Sequence, residues 1–235
     1  MMWRAALLVC GLVTASVPAD ARDPGNAPLA RGTPLAMLAP QLPAGSLAEG
    51  EEAVFEIEFV VDLRGRVSIS RLLSSTHAAL SDRVIEQHRQ WVYAVSERID
   101  DCSAKTFRAV QRIAIARQGG KLRLGVEAAR EVELLLTEVA VQTPEHSLID
   151  NFATVFRTME YPRAAAARNK GASFALIVEF GPDGKATDVY TVNAFRDDDG
   201  FAQAALRAAR RFEANQAVAQ GRPFTVCVPV SFKVH

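Results

Sequence analysis

The chain writes one order of elements twice, and that repetition constrains its fold more than any other feature. In AVFEIEFVV, Phe55, Ile57, Phe59 and Val61 fall on one face and Glu56 and Glu58 on the other, the period of a half-buried strand. LRGR then turns the chain, with Gly65 at the position that tolerates a positive φ. Val67, Ile69 and the pair Leu72 and Leu73 continue as the second strand of a hairpin. From Ala78 to Ala94 the period changes: Leu80, Val84, His88 and Trp91 form one stripe of an amphipathic helix. TFRAVQRIAIA, from Thr106 to Ala116, reads as a third strand. About 119 residues later the order recurs: the strand ASFALIVEF, the turn GPDGK, the strand ATDVYTVNA, a helical stripe of Phe201, Ala205, Ala208 and Phe212, and the strand PFTVCVPVSFKV. Sliding one copy over the other sets Phe55 on Phe174, Gly65 on Gly184 and Arg66 on Lys185. Two copies are too few for a solenoid, so the expectation is an α+β protein built by tandem duplication of a small module of hairpin, helix and third edge strand. Pro229 lies within the last strand and has no N–H to give a ladder, which predicts an edge with the missing donor facing outward, or a bulge.

The ends and connections divide the chain further. Arg4, the apolar run Ala5 to Val17 and the small residues around Asp20 read as a secretory signal cleaved after residue 21. The alternative is an uncleaved inner-membrane anchor at 5–17, although a spanning helix needs about 20 apolar residues. Residues 22–46, with Pro24, Pro28, Pro34, Pro40 and Pro43, read as a tether. The expected organisation is then module 1 at 47–117, a connecting segment at 118–147 and module 2 at 148–235. In the connection, Val132, Leu135, Leu136 and Val139 have helical spacing, while VELLLTEVAV is short and apolar enough to be a strand. Leu148, Phe152, Val155, Phe156 and Met159 predict a helix with Thr143 as N-cap and Pro144 as its first residue.

Lys plus Arg number 27 and Asp plus Glu 27, so the chain lacks the positive field of a nucleic-acid binder and its partners are expected to be protein or peptide. Export would place Cys102 and Cys227 in an oxidising compartment. Two readings stay open: a disulfide, or a buried Cys227 and a loop thiol at Cys102. His77, His88, His146 and His235 have no spacing that puts two on one metal, and His88 on the helix stripe reads as a packed residue. Asp197, Asp198 and Asp199 are contiguous, unlike the alternating ligands of a calcium loop, and stand where the second helix needs N-terminal carboxylates. With no glycine-rich phosphate loop, GxSxG, HExxH or CxxC, no catalytic, cofactor or metal residue is assigned and the chain reads as a non-enzyme.

The run YPRAAAARNKGASFALIVEFGPDGKATDVYTV, with the helix and closing strand after it, resembles the C-terminal domain of TonB-family energy transducers over residues 161–234. Residues 53–116 resemble a reduced copy, without the Tyr-Pro helix. Phe212 stands where the family usually has tryptophan, and the retained membrane helix and long proline-rich span of a transducer are missing. The resemblance implies a periplasmic domain that recognises a peptide segment of an outer-membrane transporter by adding it as a strand to a sheet edge. Carried to this sequence, it implies a receiving strand with Phe224, Val226, Val228, Val230 and Phe232, and Tyr161 and Pro162 close by. The alternative function is an envelope structural or assembly factor whose modules self-associate, as a homodimer, or pair with another chain, without transporter contact.

Overall fold

The computed structural model describes residues 29–135, 139–143 and 147–233. The expected signal at 1–21, the front of the tether at 22–28, and Leu136, Pro144, His146 and His235 lie outside the described residues.

The first sheet is built on β2 (Glu52–Val61), whose alternate residues Ala53, Phe55, Ile57, Phe59 and Val61 are fully buried. Each of the four larger side chains contributes about 2 kcal/mol when taken from water, and a one-residue slip would turn all five outward, so the alternation sets the register. β2 pairs antiparallel with β3 (Val67–Ser75) on one side and β5 (Thr106–Gln118) on the other. Between β3 and β5 the chain makes a short 3-10 turn, α1 (Ser81–His88) and β4 (Val92–Tyr93). The helix expected to Ala94 stops at His88, Trp91 enters the core from the turn that follows, and Tyr93 from β4. β4 pairs with β1 (Pro34–Ala36), which belongs to the segment read as a tether. That segment is docked from residue 29: Leu29 N–H donates to the Glu97 carbonyl, Gly32 N–H to Ala94, and the Trp91 indole to the Leu38 carbonyl at 3.0 Å.

The outer side of β5 is shared by β6 (Lys121–Val126) and β7 (Arg130–Leu135), both antiparallel. The expectation of a third edge strand therefore fails in the first module. The connecting run, which reads as either helix or strand, is strand in its described parts, β7 and then β8 (Val139–Val141). An apolar run with no cap and a long neighbouring edge to pair with gains its hydrogen bonds there.

The second sheet has the order β10-β9-β11-β8. β9 (Ala172–Phe180) pairs antiparallel with β10 (Ala186–Thr191) and β11 (Phe224–Phe232), and β8 runs parallel to β11. Before β9 stand α2 (Phe152–Arg157), preceded by Asn151 and not by Thr143, and α3 (Arg163–Ala167). After β10 come α4 (Phe201–Ala209) and the one-turn α5 (Gln216–Ala219). The α4 stripe of Phe201, Ala205 and Ala208, with Phe212, packs on Phe174, Leu176, Val178 and Phe180 of β9. The Asp197 carboxylate accepts from the Phe201 and Ala202 N–H groups at 2.8 and 2.7 Å, the carboxylate role expected of this loop.

The two sheets share the strand order β3-β2-β5 and β10-β9-β11. Their turns share contacts as well. Gly65 and Gly184 both have φ 76°, and their carbonyls accept from Tyr93 N–H and Ala214 N–H, each at 2.8 Å. The sheets also pack on one another. Ala175, Ile177, Val192 and Cys227 belong to the core of the first sheet, so both faces are buried along β9 from Phe174 to Val178 and along β11 from Val226 to Val228. Asn193, at φ 54°, accepts from Val95 and Ser96 N–H and donates to the Ser96 carbonyl. Ala175 N–H donates to the Ile99 carbonyl at 2.7 Å. Arg64, from the first hairpin turn, reaches Glu179 at 3.0 Å and Asp188 at 2.5 Å and lies over the Tyr190 ring.

Candidate functional site

Backbone direction along β11 decides what its edge offers. Gln142 N–H donates to the Cys227 carbonyl at 2.9 Å, so Cys227 faces the outer edge, away from β9. In a strand, alternate residues share a direction. Thr225, Pro229 and Ser231 therefore face outward too, while Val226, Val228 and Val230 bond to β9. The nine register pairs with β9 run without a bulge, so Pro229 has its ring nitrogen on the outer edge. β8 covers the edge at Thr225, Val226 and Cys227. Beyond β8, the outward groups up to Ser231 are the Pro229 carbonyl and the Ser231 N–H and carbonyl.

The side chains expected to meet a partner lie elsewhere. Val226, Val228, Val230 and Phe232 point under α4 and are buried, and Phe224 is half-buried against Phe180. They build the sheet, and what the edge presents is backbone. Tyr161 and Pro162 are gathered at the Phe232 end. The Tyr161 ring meets Phe201 and Phe232 edge-on at 5.5 and 5.8 Å, and its hydroxyl donates to the Lys170 carbonyl. Pro162 precedes the first residue of α3. Together they brace α3 against the end of α4 and β11.

Cys227 is joined to Cys102 by a disulfide, with Cα atoms 5.7 Å apart. The bond fastens the inner face of β11 to the loop before β5. β11 is thus held by β9 at one edge, by α4 above and by the disulfide below. β8, by contrast, is held by a three-residue parallel ladder, and Val141 is 38% exposed. The sequence reading did not single out β8 or Gln142. The signal was there in the ambiguous VELLLTEVAV run, but nothing local named its partner strand.

The other polar cluster is buried in the first sheet. Tyr93 O–H donates to Gln111 Oε1 at 2.6 Å, so its oxygen accepts from His88 Nε2–H at 2.8 Å. His88 Nδ1 is then the acceptor for Ser70 Oγ–H at 3.1 Å, and Gln111 Nε2 donates to the Glu127 carbonyl. Each hydroxyl and the ring N–H of His88 find an acceptor. His88 has no exposed surface, and burial lowers its pKa to about 4, while burial raises that of Tyr93. A serine beside a histidine invites a catalytic reading, but Ser70, His88 and Tyr93 are all buried and closed on one another, so the cluster is a structural network.

Helix, hairpin, capped helix and closing strand in this order set the comparison with known families. Residues 157–234 match the family model of the Gram-negative bacterial TonB protein C-terminal. This TonB C-terminal match runs from the last residue of α2 beyond the end of β11 and does not reach the first sheet. No curated protein and no solved structure gives a match to the chain. No helix among the described residues is long and apolar enough to cross a membrane.

Proposed function

We propose that this chain is an exported, non-enzymatic envelope protein that recognises an extended segment of a partner protein by strand addition at the outer edge of β11. The observation that carries the reading is the pairing of β8 with that edge: the backbone at Thr225 to Cys227 accepts a strand in parallel register. The match of this region to the TonB C-terminal family supports a protein partner, with outer-membrane TonB-dependent transporters as the first candidates. Backbone, and not the buried Val226 and Val228 side chains, supplies the affinity. The first sheet, with the same strand order and turn contacts, is read as the product of a duplication whose copy lacks the Tyr-Pro helix.

One observation favours the second reading, assembly with another copy or another envelope protein. β3 is an edge strand and exposes Ile69 at 61% and Leu73 at 44%. Titration of the full mature chain with peptides from the periplasmic termini of outer-membrane transporters, followed by backbone NMR, separates the two. Saturable shifts along Thr225 to Ser231 support the transporter reading. No response to any peptide, with sedimentation showing concentration-dependent mass, moves the function to assembly through β3.

A further inference from the structure

We propose that β8 is an intramolecular stand-in for the partner strand, and that a partner segment of small and β-branched apolar residues, running parallel to β11, binds by displacing it. The inference rests on the reading of β11 as the receiving strand. Its first support is the asymmetry of the two neighbours of β11. β9 makes nine antiparallel register pairs and is buried on both faces from Phe174 to Val178, whereas β8 makes three parallel ones. Parallel ladders are slightly less stable per residue. Val139 is half-buried, Ala140 is exposed and Val141 is 38% exposed, so little apolar surface holds β8 in place.

The second support is the inventory of the edge. With β8 seated, the groups left up to Ser231 are the Pro229 carbonyl and the two groups of Ser231, because Pro229 has no N–H. A partner strand cannot build a ladder on these. The usable donors and acceptors are at Thr225 and Cys227, the ones β8 covers, so a partner must take its place. Gln142 marks where β8 would peel from. It is buried, its N–H donates to Cys227, its Oε1 accepts from Leu148 N–H at 2.8 Å and its Nε2 donates to the Thr143 carbonyl. That clasp anchors the C-terminal end of β8 beside the second sheet. The receiving strand stays rigid meanwhile, because the disulfide to Cys102 holds Cys227 from below. β8 itself specifies the partner: valine, a small residue opposite Val226, and valine again.

The test uses the full mature chain and a fluorescent nonapeptide of residues 136–144, LTEVAVQTP, supplied in trans. The parallel register directs Ala140 N–H toward β11, so Ala140→Pro should unseat β8. The variant is expected to bind the nonapeptide at least tenfold more tightly than the wild type, whose edge is occupied. Equal affinity, or no binding by either chain while the variant keeps the circular dichroism of the wild type, overturns the proposal. Hydrogen exchange on the wild type gives a second test that needs no variant. Gln142 and Cys227 amides should exchange together and at least a hundredfold faster than those of Val226 and Val228, and equal protection of the four overturns it. Transporter-derived peptides keep the two readings apart. If they bind neither chain while the nonapeptide discriminates, the displacement holds and the transporter reading falls. If they bind both chains alike, the edge is a receiving site and displacement falls.

Discussion

Acidification from pH 7.5 to pH 4 is expected to remove about 3 kcal/mol of folding stability through one side chain, His88. Its imidazole is fully buried, between Ser70 Oγ and Tyr93 O–H and against the rings of Phe59 and Trp91. Burial lowers its pKa from 6.5 to about 4. Between these values the unfolded chain binds a proton that the folded chain refuses. Stability is therefore complete above about pH 6.5, falls as pH drops toward 4, and levels off once the folded imidazole also titrates. A shift of this size is worth about 3 kcal/mol at about 1.4 kcal/mol per pH unit. His88→Gln keeps a donor for Tyr93 and removes the titration, at a cost of about 1 to 2 kcal/mol at neutral pH from the lost acceptor for Ser70. Urea unfolding of both chains from pH 7.5 to pH 4 isolates the effect, because every other side chain is common to both. The wild-type curve should fall about 3 kcal/mol further than the variant curve. Parallel curves would refute the account of His88 as a neutral buried link.

Three further outcomes follow from the packing. Reducing the Cys102 to Cys227 bond releases a loop closed over 125 residues, for which chain entropy gives about 5 kcal/mol. Denaturant titration with and without reductant, alongside thiol counting, should show that loss, and superimposable curves would sink it. Gly65→Ala should destabilise by about 2 kcal/mol more than Gly184→Ala in the same assay. Both glycines have positive φ, but a Cβ at Gly65 meets the Tyr93 carbonyl whereas one at Gly184 meets the movable end of Gln216, and equal losses would contradict this. Asp197→Ala should lower stability by about 1 kcal/mol by leaving the first α4 amides without their acceptor, and an unchanged melting temperature would count against the cap.

The elements with a local signature were legible in the residues alone. The alternation of β2, the turn at Gly65 and the α4 stripe of Phe201, Ala205 and Ala208 each follow from a period or a backbone preference that acts within ten residues. The same signatures, repeated, carried the resemblance of residues 161–234, and the family match covers that region.

What the residues left open depended on partners distant in sequence. VELLLTEVAV reads as helix or strand, and its described ends are strand because β5 and β11 offer edges to β7 and β8. The same pairings, with that of β6 on β5, cover the outer side of β5 and the first part of the outer edge of β11, both of which read as edge strands. Residues 29–38 have no period, yet they dock because the loop at Ala94 to Glu97 accepts and donates backbone hydrogen bonds there. Val226 and Val228 alternate with Cys227 as one strand, but only packing under α4 and over the first sheet decided that both faces are buried at these three residues. Sequence period reports which residues share a face within one element. Which neighbour covers that face, and which strand fills an edge, is set by contacts between segments distant in sequence, up to the 125 residues between Cys102 and Cys227, and these form only when the chain has folded.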